Sequence, residues 1–227
     1  MDDTELLPVA INHVEKGRFL TVVGDGNAGA ALDAALKMFF ADQVEKSSAE
    51  GSNVYECLQR QISPEDRNGV LFVPHLLGTM LDSTATSGLL GLRSSTDRRV
   101  LIKAILEGIL LGYYANVSLL PNLNAVGKIW LTGGGSRGDV TGQIMADVFQ
   151  CDVTVAEDSE LPARGAAACA LKGLGRVQSF SDAPLPGVRR YFIPNPEMAD
   201  YYAAKAELIR RVLLGTEDLL KQVSKLS

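Results

Sequence analysis

Basic clusters are missing from this chain. Its 22 Lys and Arg residues are outnumbered by 27 Asp and Glu, for a formal net charge of −5 and a pI near 5.1. No run of Lys or Arg forms the stripe that neutralises phosphates along a nucleic acid, so neither DNA nor RNA is an expected partner. Cysteine is scarce. Cys57, Cys151 and Cys169 are odd in number and far apart, matching neither a disulfide framework nor a zinc spacing, and no metal ligand set is expected. An apolar leader is lacking too: Met1-Asp2-Asp3-Thr4-Glu5 is acidic and no long apolar core follows it, which predicts neither a secretory signal nor a basic transit peptide. The most apolar stretch, 100–120, is interrupted by Lys103, Glu107 and Asn116. Burying those in lipid is costly, so a buried helix is expected there and no membrane span. Together these absences predict a cytoplasmic protein.

What is present is ordinary globular composition: 46% hydrophobic and 22% charged residues in 227. That is enough to bury one core, and residues 1–227 are expected to form a single domain of α/β or α+β type, with no solenoid-length repeat and no low-complexity tract. Phe19 to Val23 is a short apolar run before Gly24, and Ala28 to Phe40 has helical composition. From Asp42 to Glu65 the chain is polar, with Val54, Leu58 and Ile62 at four-residue spacing, which predicts one helix over 52–62. Val70 to Val73 is a strand stopped by Pro74, followed by a polar loop over 78–87. Asp97 is a suitable N-cap for a helix running to Leu120 before Pro121-Asn122. Lys128 to Leu131 and Val153 to Val155 read as strands, each followed by a helix, over 140–149 and 162–171. Pro194-Asn195-Pro196 precedes a long final helix from near Glu197, with an interruption expected at Gly215. Strand–helix alternation predicts helices packed on a mixed sheet.

Two glycine clusters compete as ligand cradles. Gly24-Asp25-Gly26-Asn27-Ala28-Gly29 spells GxGxxG between a strand and a helix. A dinucleotide site also needs a second parallel strand ending in an acidic residue, and the polar text after Phe40 offers none, so close helix–sheet packing is the favoured reading. The second cluster, Thr132-Gly133-Gly134-Gly135-Ser136, also lies between a strand and a helix. Consecutive glycines remove the Cβ atoms that keep a ligand off the main chain, and a following helix aims N–H groups at the turn. The same turn without a ligand is the competing reading.

The surrounding text resembles the FGGY family of carbohydrate kinases in its C-terminal domain. Ser87-Gly88-Leu89-Leu90-Gly91-Leu92, then seven residues, then 101–107 is similar to the family's second signature, departing from it at Val100. The segment 131–137 with 143–148 is similar to its adenosine motif and the helix behind it. Glu160 with Ala163-Arg164-Gly165-Ala166-Ala167 is similar to the stretch closing the nucleotide cleft, with Arg164 where an apolar residue is usual. Val73-Pro74-His75-Leu76-Leu77-Gly78 and the entry 194–197 to the last helix add to the likeness, which runs from about Phe19 to the end.

The resemblance implies an actin/hexokinase-like, ribonuclease H-like fold, with ATP and Mg2+ held between this domain and an N-terminal one that binds the sugar and carries the catalytic Asp. That partner domain is expected to be absent from this sequence, so the chain carries no catalytic residue of its own. Gly133, Gly134, Gly135 and Ser136 are expected at the nucleotide, with Gly165 and Ala166 lining the cleft, and a sugar or polyol engaged through the other domain. Thr141 and Gly142 stand where the family commonly has an aromatic and a polar residue that help bind adenine. A non-catalytic module binding a nucleotide or a protein is the alternative. Self-association is expected if the face normally covered by the other domain is bare. Elsewhere, His75 and Asp82 are read as packing or sugar-side residues, Asp147 as a helix-surface or outer carboxylate, Asp25 as no base, and Trp130 as core.

Overall fold

The computed structural model describes residues 9–23, 29–78, 84–118, 120, 127–157, 160–184 and 186–224. Gly24 to Ala28, with Asp25 among them, and Asp82 and Pro121-Asn122, for which the sequence raises expectations, lie outside them. Among the described residues the chain forms seven strands and seven helices in an α/β arrangement. A hairpin, β1 (Val9–Asn12) with β2 (Phe19–Val22), leads into α1 (Gly29–Phe39), α2 (Ala41–Ala49) and α3 (Val54–Gln59). A second antiparallel pair, β3 (Leu71–Val73) with β4 (Gly88–Leu90), precedes α4 (Arg98–Ser118). Then come β5 (Lys128–Leu131), α5 (Asp139–Phe149), β6 (Asp152–Ala156), α6 (Leu161–Gly173), β7 (Val188–Phe192) and α7 (Ala199–Ser224).

The principal sheet has order β5-β6-β7, with β5 parallel to β6 and β7 antiparallel to it. This is the mixed sheet with helices packed on it that strand–helix alternation predicts. Its central strand β6 is the buried one: Val153, Thr154 and Val155 are at most 1% exposed. α4 organises the core. Its residues 102–112 are all buried, and they join two apolar clusters, one with α1, α3 and β3 around Phe40 and Phe72, the other with α5 and α7 around Ile144 and Tyr202. Length and composition alone would let α4 cross a membrane. The structure places it inside the protein, and its interruptions are used there.

Lys103 donates to the carbonyls of Ser63, Pro64 and Asp66. Glu107, one turn later and 3.8 Å away, meets Lys205 at 2.5 Å, Asn68 at 3.0 Å and the hydroxyls of Tyr201 and Tyr202 at 3.2 Å each. Burial holds the ammonium groups of Lys103 and Lys205 below the usual lysine range, and pushes both tyrosine hydroxyls up, with the Glu107 carboxylate adding to the effect. Ionic groups buried at this depth persist only when paired in this way.

Several expectations are corrected. The polar segment 42–65 holds two helices, α2 and α3, with Asn53 capping the second through Tyr55 N and Glu56 N. The final helix runs unbroken through Gly215, since one glycine costs only about 1 kcal/mol against the propensity of its neighbours. It starts at Ala199, after a 3-10 turn over Pro196–Met198. Trp130 is 44% exposed and stacks under Lys128 at 4.9 Å, because no described element covers that face of β5. Asp147 is not on the helix surface: it is 1% exposed and accepts from Asn195 N at 2.7 Å and Gln143 Nε2 at 2.8 Å. Burial raises its carboxyl above the usual aspartate range.

Candidate functional site

The glycine turn follows the C-terminal end of β5. Gly133 has φ +72 and ψ −156, a conformation that side chains disfavour, and it starts a 3-10 turn over Gly134–Arg137. The buried Ser136 closes the turn on itself: its Oγ donates to Gly133 O at 2.8 Å and its N–H to the same carbonyl at 3.2 Å. Arg190 of β7 braces it from the sheet, donating to Ser136 O at 2.5 Å and pairing with Asp139 in the first turn of α5. On the other side Gln59 of α3 fits under Gly138, where a Cβ would fall 1.9 Å from the amide oxygen, and that oxygen accepts from Thr141 N at 3.2 Å. The turn is therefore closed on itself and braced from two elements, β7 and α3, which is the rigidity a binding loop needs.

Its outer surface stays bare. A Cβ at Gly133 or Gly134 would meet nothing within 4 Å, and one at Gly135 would meet only Leu131 Cδ1 at 3.9 Å. Gly134 and Gly135 line an open cleft of about 750 Å³. Thr132, Arg137 and Thr141 share the rim, α1 contributes Gly29, Leu32 and Asp33, α3 contributes Tyr55 and Gln59, and α4 contributes a row from Leu106 to Val117. The lining is mainly apolar, with Asp33 and Arg137 as opposed charges.

Gly133, which is exposed, and Ser136, which is buried, belong to the same turn but do not line the cleft. Gly165 and Ala166 lie on α6, which buries none of its residues, and they do not line this cleft. They are nonetheless at the same end of the sheet, because α6 follows β6 as the turn follows β5 and the two strands are parallel. Thr141 and Gly142 are buried: Thr141 reaches the cleft, while a Cβ at Gly142 would lie 2.3 Å from the Phe192 ring, so that position is filled by packing. His75 is half-buried after β3 and outside the cleft. Gln59 and Arg190, the two braces, carry no signal in the sequence. Both act across more than fifty residues of chain.

A rigid glycine turn at the C-terminal end of a parallel strand, opening on a cleft, is the arrangement by which α/β proteins bind small ligands. The chain belongs to the FGGY family of carbohydrate kinases, whose C-terminal domain matches residues 8–174. It is 27% identical over 214 residues to the xylulose kinase of Bacillus subtilis strain 168, covering 92% of this chain and 41% of that protein. With the gluconokinase of Bacillus licheniformis it shares 27% identity over 207 residues, or 87% of this chain and 40% of that one. Among solved structures, the xylulose kinase of Rhodospirillum rubrum superposes with a TM-score of 0.77 at 24% identity, over 94% of this chain and 43% of that one. That of Lactobacillus acidophilus gives 0.76 at 21%, over 89% and 41%. These likenesses establish the actin/hexokinase-like fold. The chain thus spans about two fifths of the length of the relatives it matches.

Proposed function

We propose that this chain is the nucleotide-holding part of an ATP-dependent carbohydrate kinase, acting on a sugar or polyol together with the N-terminal part of such an enzyme, in the cytoplasm. The observation that carries this reading is the bare main chain at Gly134 and Gly135, held rigid by Gln59 and Arg190 and facing an open cleft. Phosphoryl transfer relies on positioning and charge stabilisation more than on covalent chemistry by the protein. A rigid turn that lets adenosine lie against the backbone supplies the positioning. Ser136 closes the turn, Arg137 offers a positive charge at its rim, and Gly165 and Ala166 give a second small-residue wall at the same end of the sheet.

Mg2+ fits this site as a companion of the nucleotide. Asp33 is the one carboxylate among the described residues lining the cleft, and Mg2+ is ordinarily bound by one or two carboxylates with substrate phosphates and water. When bound it neutralises phosphate charge.

Isothermal titration calorimetry with ATP tests the reading. Gly134→Val is the informative variant, because its φ is not in the left-handed region and its Cβ meets open space. It is expected to keep the wild-type Tm and to weaken ATP binding by about tenfold or more, since side-chain bulk would displace a ligand from the backbone. No heat with the wild-type chain at millimolar ATP, or equal affinity in the variant, refutes it. The buried Thr141 and Gly142 favour a second reading, a module that binds its ligand without catalysis: neither offers an aromatic ring to adenine, Thr141 brings only a hydroxyl to the cleft, and Gly142 packs against Phe192.

A further inference from the structure

The turn between α3 and β3 has the form of a cation cradle. The carbonyl oxygens of Ser63, Pro64 and Asp66 converge on one point, and the ammonium of Lys103 sits there, donating to Ser63 O at 2.9 Å, to Pro64 O at 2.8 Å and to Asp66 O. The point is deep inside the protein: Lys103 is 1% exposed. Three carbonyls take three N–H donors, which only the charged amine has, since a neutral amine offers two and turns its lone pair on the third oxygen. Burial holds this ammonium below the usual lysine range, while the carboxylates of Glu107, 3.8 Å away, and Asp66 oppose that effect.

The carbonyls are aligned by bonds of the turn itself. Asp66 N donates to Ser63 O at 3.2 Å, Ser63 N donates to Asp66 Oδ2 at 3.0 Å, and Glu65 N donates to Ser63 Oγ at 3.3 Å. Pro64 fixes its own φ and stiffens the turn further. The chain beyond it is tied down as well: Arg67 donates to Glu197 O at 2.7 Å, and Asn68 and Glu107 together hold the second buried ammonium, that of Lys205. Backbone carbonyls fixed in this way can replace the hydration shell of a monovalent cation, as they do for potassium in channels.

We infer that the turn over 63–66 is a binding site for a monovalent cation of potassium size, and that the ammonium of Lys103 is its resident cation, tethered to α4. A divalent ion suits the site poorly. Its oxygens are three neutral carbonyls and a carboxylate already shared with Lys205, fewer and less charged than calcium takes. By filling the site from within the chain, Lys103 joins the end of α3 to α4 without a dissociable ion, and the fold does not depend on the potassium concentration. That join lies behind two walls of the cleft, since Tyr55 and Gln59 of α3 and Leu106 and Ile109 of α4 line it. The inference holds whatever ligand the cleft takes.

The test cuts the tether in the full 227-residue chain. Lys103→Ala deletes everything beyond Cβ and leaves room for a free cation, whereas Lys103→Met keeps the length and fills the space without charge. In tetramethylammonium chloride, whose cation is too large for the cradle, both variants are expected to melt several degrees below the wild type. Exchange of that salt for potassium chloride at equal ionic strength is expected to raise the Tm of Lys103→Ala by several degrees, in a saturable way, because an ion that binds only the folded state stabilises it by mass action. The chloride of n-propylammonium, which has the size and charge of the deleted part, is expected to do the same, and the wild type and Lys103→Met to respond to neither. If Lys103→Ala is unfolded in tetramethylammonium chloride, recovery of its helical circular dichroism in potassium or n-propylammonium chloride is the equivalent readout, and no recovery in either overturns the proposal. Three further results overturn it. Lys103→Ala as stable as the wild type in tetramethylammonium chloride would mean that the carbonyls need no cation. An equal Tm in all three salts would mean that the vacated cradle binds none. An equal response by the wild type or by Lys103→Met would place the binding elsewhere.

Discussion

Glu107 shows how a single residue can tie distant parts of the chain together. It is 1% exposed and accepts from Asn68, Tyr201, Tyr202 and Lys205. Removing one partner of a buried ion pair leaves the other uncompensated, at a cost of about 3–5 kcal/mol, whereas replacing both by apolar residues is often neutral. Glu107→Ala is therefore expected to lose about 3–5 kcal/mol in urea denaturation, and Glu107→Met with Lys205→Met to recover most of it. A near-native midpoint for the single variant would refute the role. The adjacent Gly108 is constrained by shape: a Cβ there would lie 2.2 Å from the Phe72 carbonyl oxygen, where α4 crosses β3. Gly108→Ala is expected to cost about 1–3 kcal/mol through this overpacking. Gly165→Ala on exposed α6, where the Cβ meets nothing within 4 Å, is expected to be neutral or stabilising by up to about 1 kcal/mol, from helix propensity alone. The Tm values of the two glycine variants distinguish packing from propensity.

At the scale of elements, α2 and α4 are joined by one ion pair. Arg98 donates to Asp42 Oδ2 at 2.8 Å and to Phe39 O at 3.0 Å, and its guanidinium carbon sits 5.0 Å from the centre of the Phe40 ring. The hydrogen bond from Arg98 lowers the Asp42 carboxyl from 3.8 to about 2. A carboxyl whose folded value lies below its unfolded one stabilises the fold fully above the unfolded value and ceases to do so as pH falls through the folded one. The difference in urea midpoint between wild type and Asp42→Asn is therefore expected to be present at neutral pH and to fade from 3.8 down to about 2. The pair is exposed, so this difference is small and shrinks with salt. A difference that stayed constant across that range would show that Arg98 does not hold Asp42.

For the whole molecule, the incomplete span of the match makes a direct prediction: the chain with ATP and either xylulose or gluconate is expected to produce no sugar-dependent ADP, while its fusion to the part of the Bacillus subtilis xylulose kinase that precedes the matched stretch is the form in which turnover can appear. Turnover by the isolated chain in a coupled assay would refute the division of labour proposed here. The local parts were legible from composition and spacing. Apolar runs marked β2, β3, β5 and β6, periodicity and caps marked α1, α4, α5 and α6, and the glycine turn announced itself because side chains are what it lacks. β4 and β7 were not legible, since β4 has three residues and β7 carries Arg189 and Arg190 within a largely exposed strand. Strand β1 is a short apolar run of three residues before Asn12, too brief to stand out beside the acidic N-terminus. The cleft itself was beyond local pattern. Its walls come from α1, α3, α4 and β5, and the braces Gln59 and Arg190 act on the turn from far along the chain. Periodicity and turn chemistry are properties of neighbours in sequence, so they specify elements. Which faces meet, which charges are buried in pairs and which edge stays open depend on contacts between residues remote in the chain, and those exist only once it has folded.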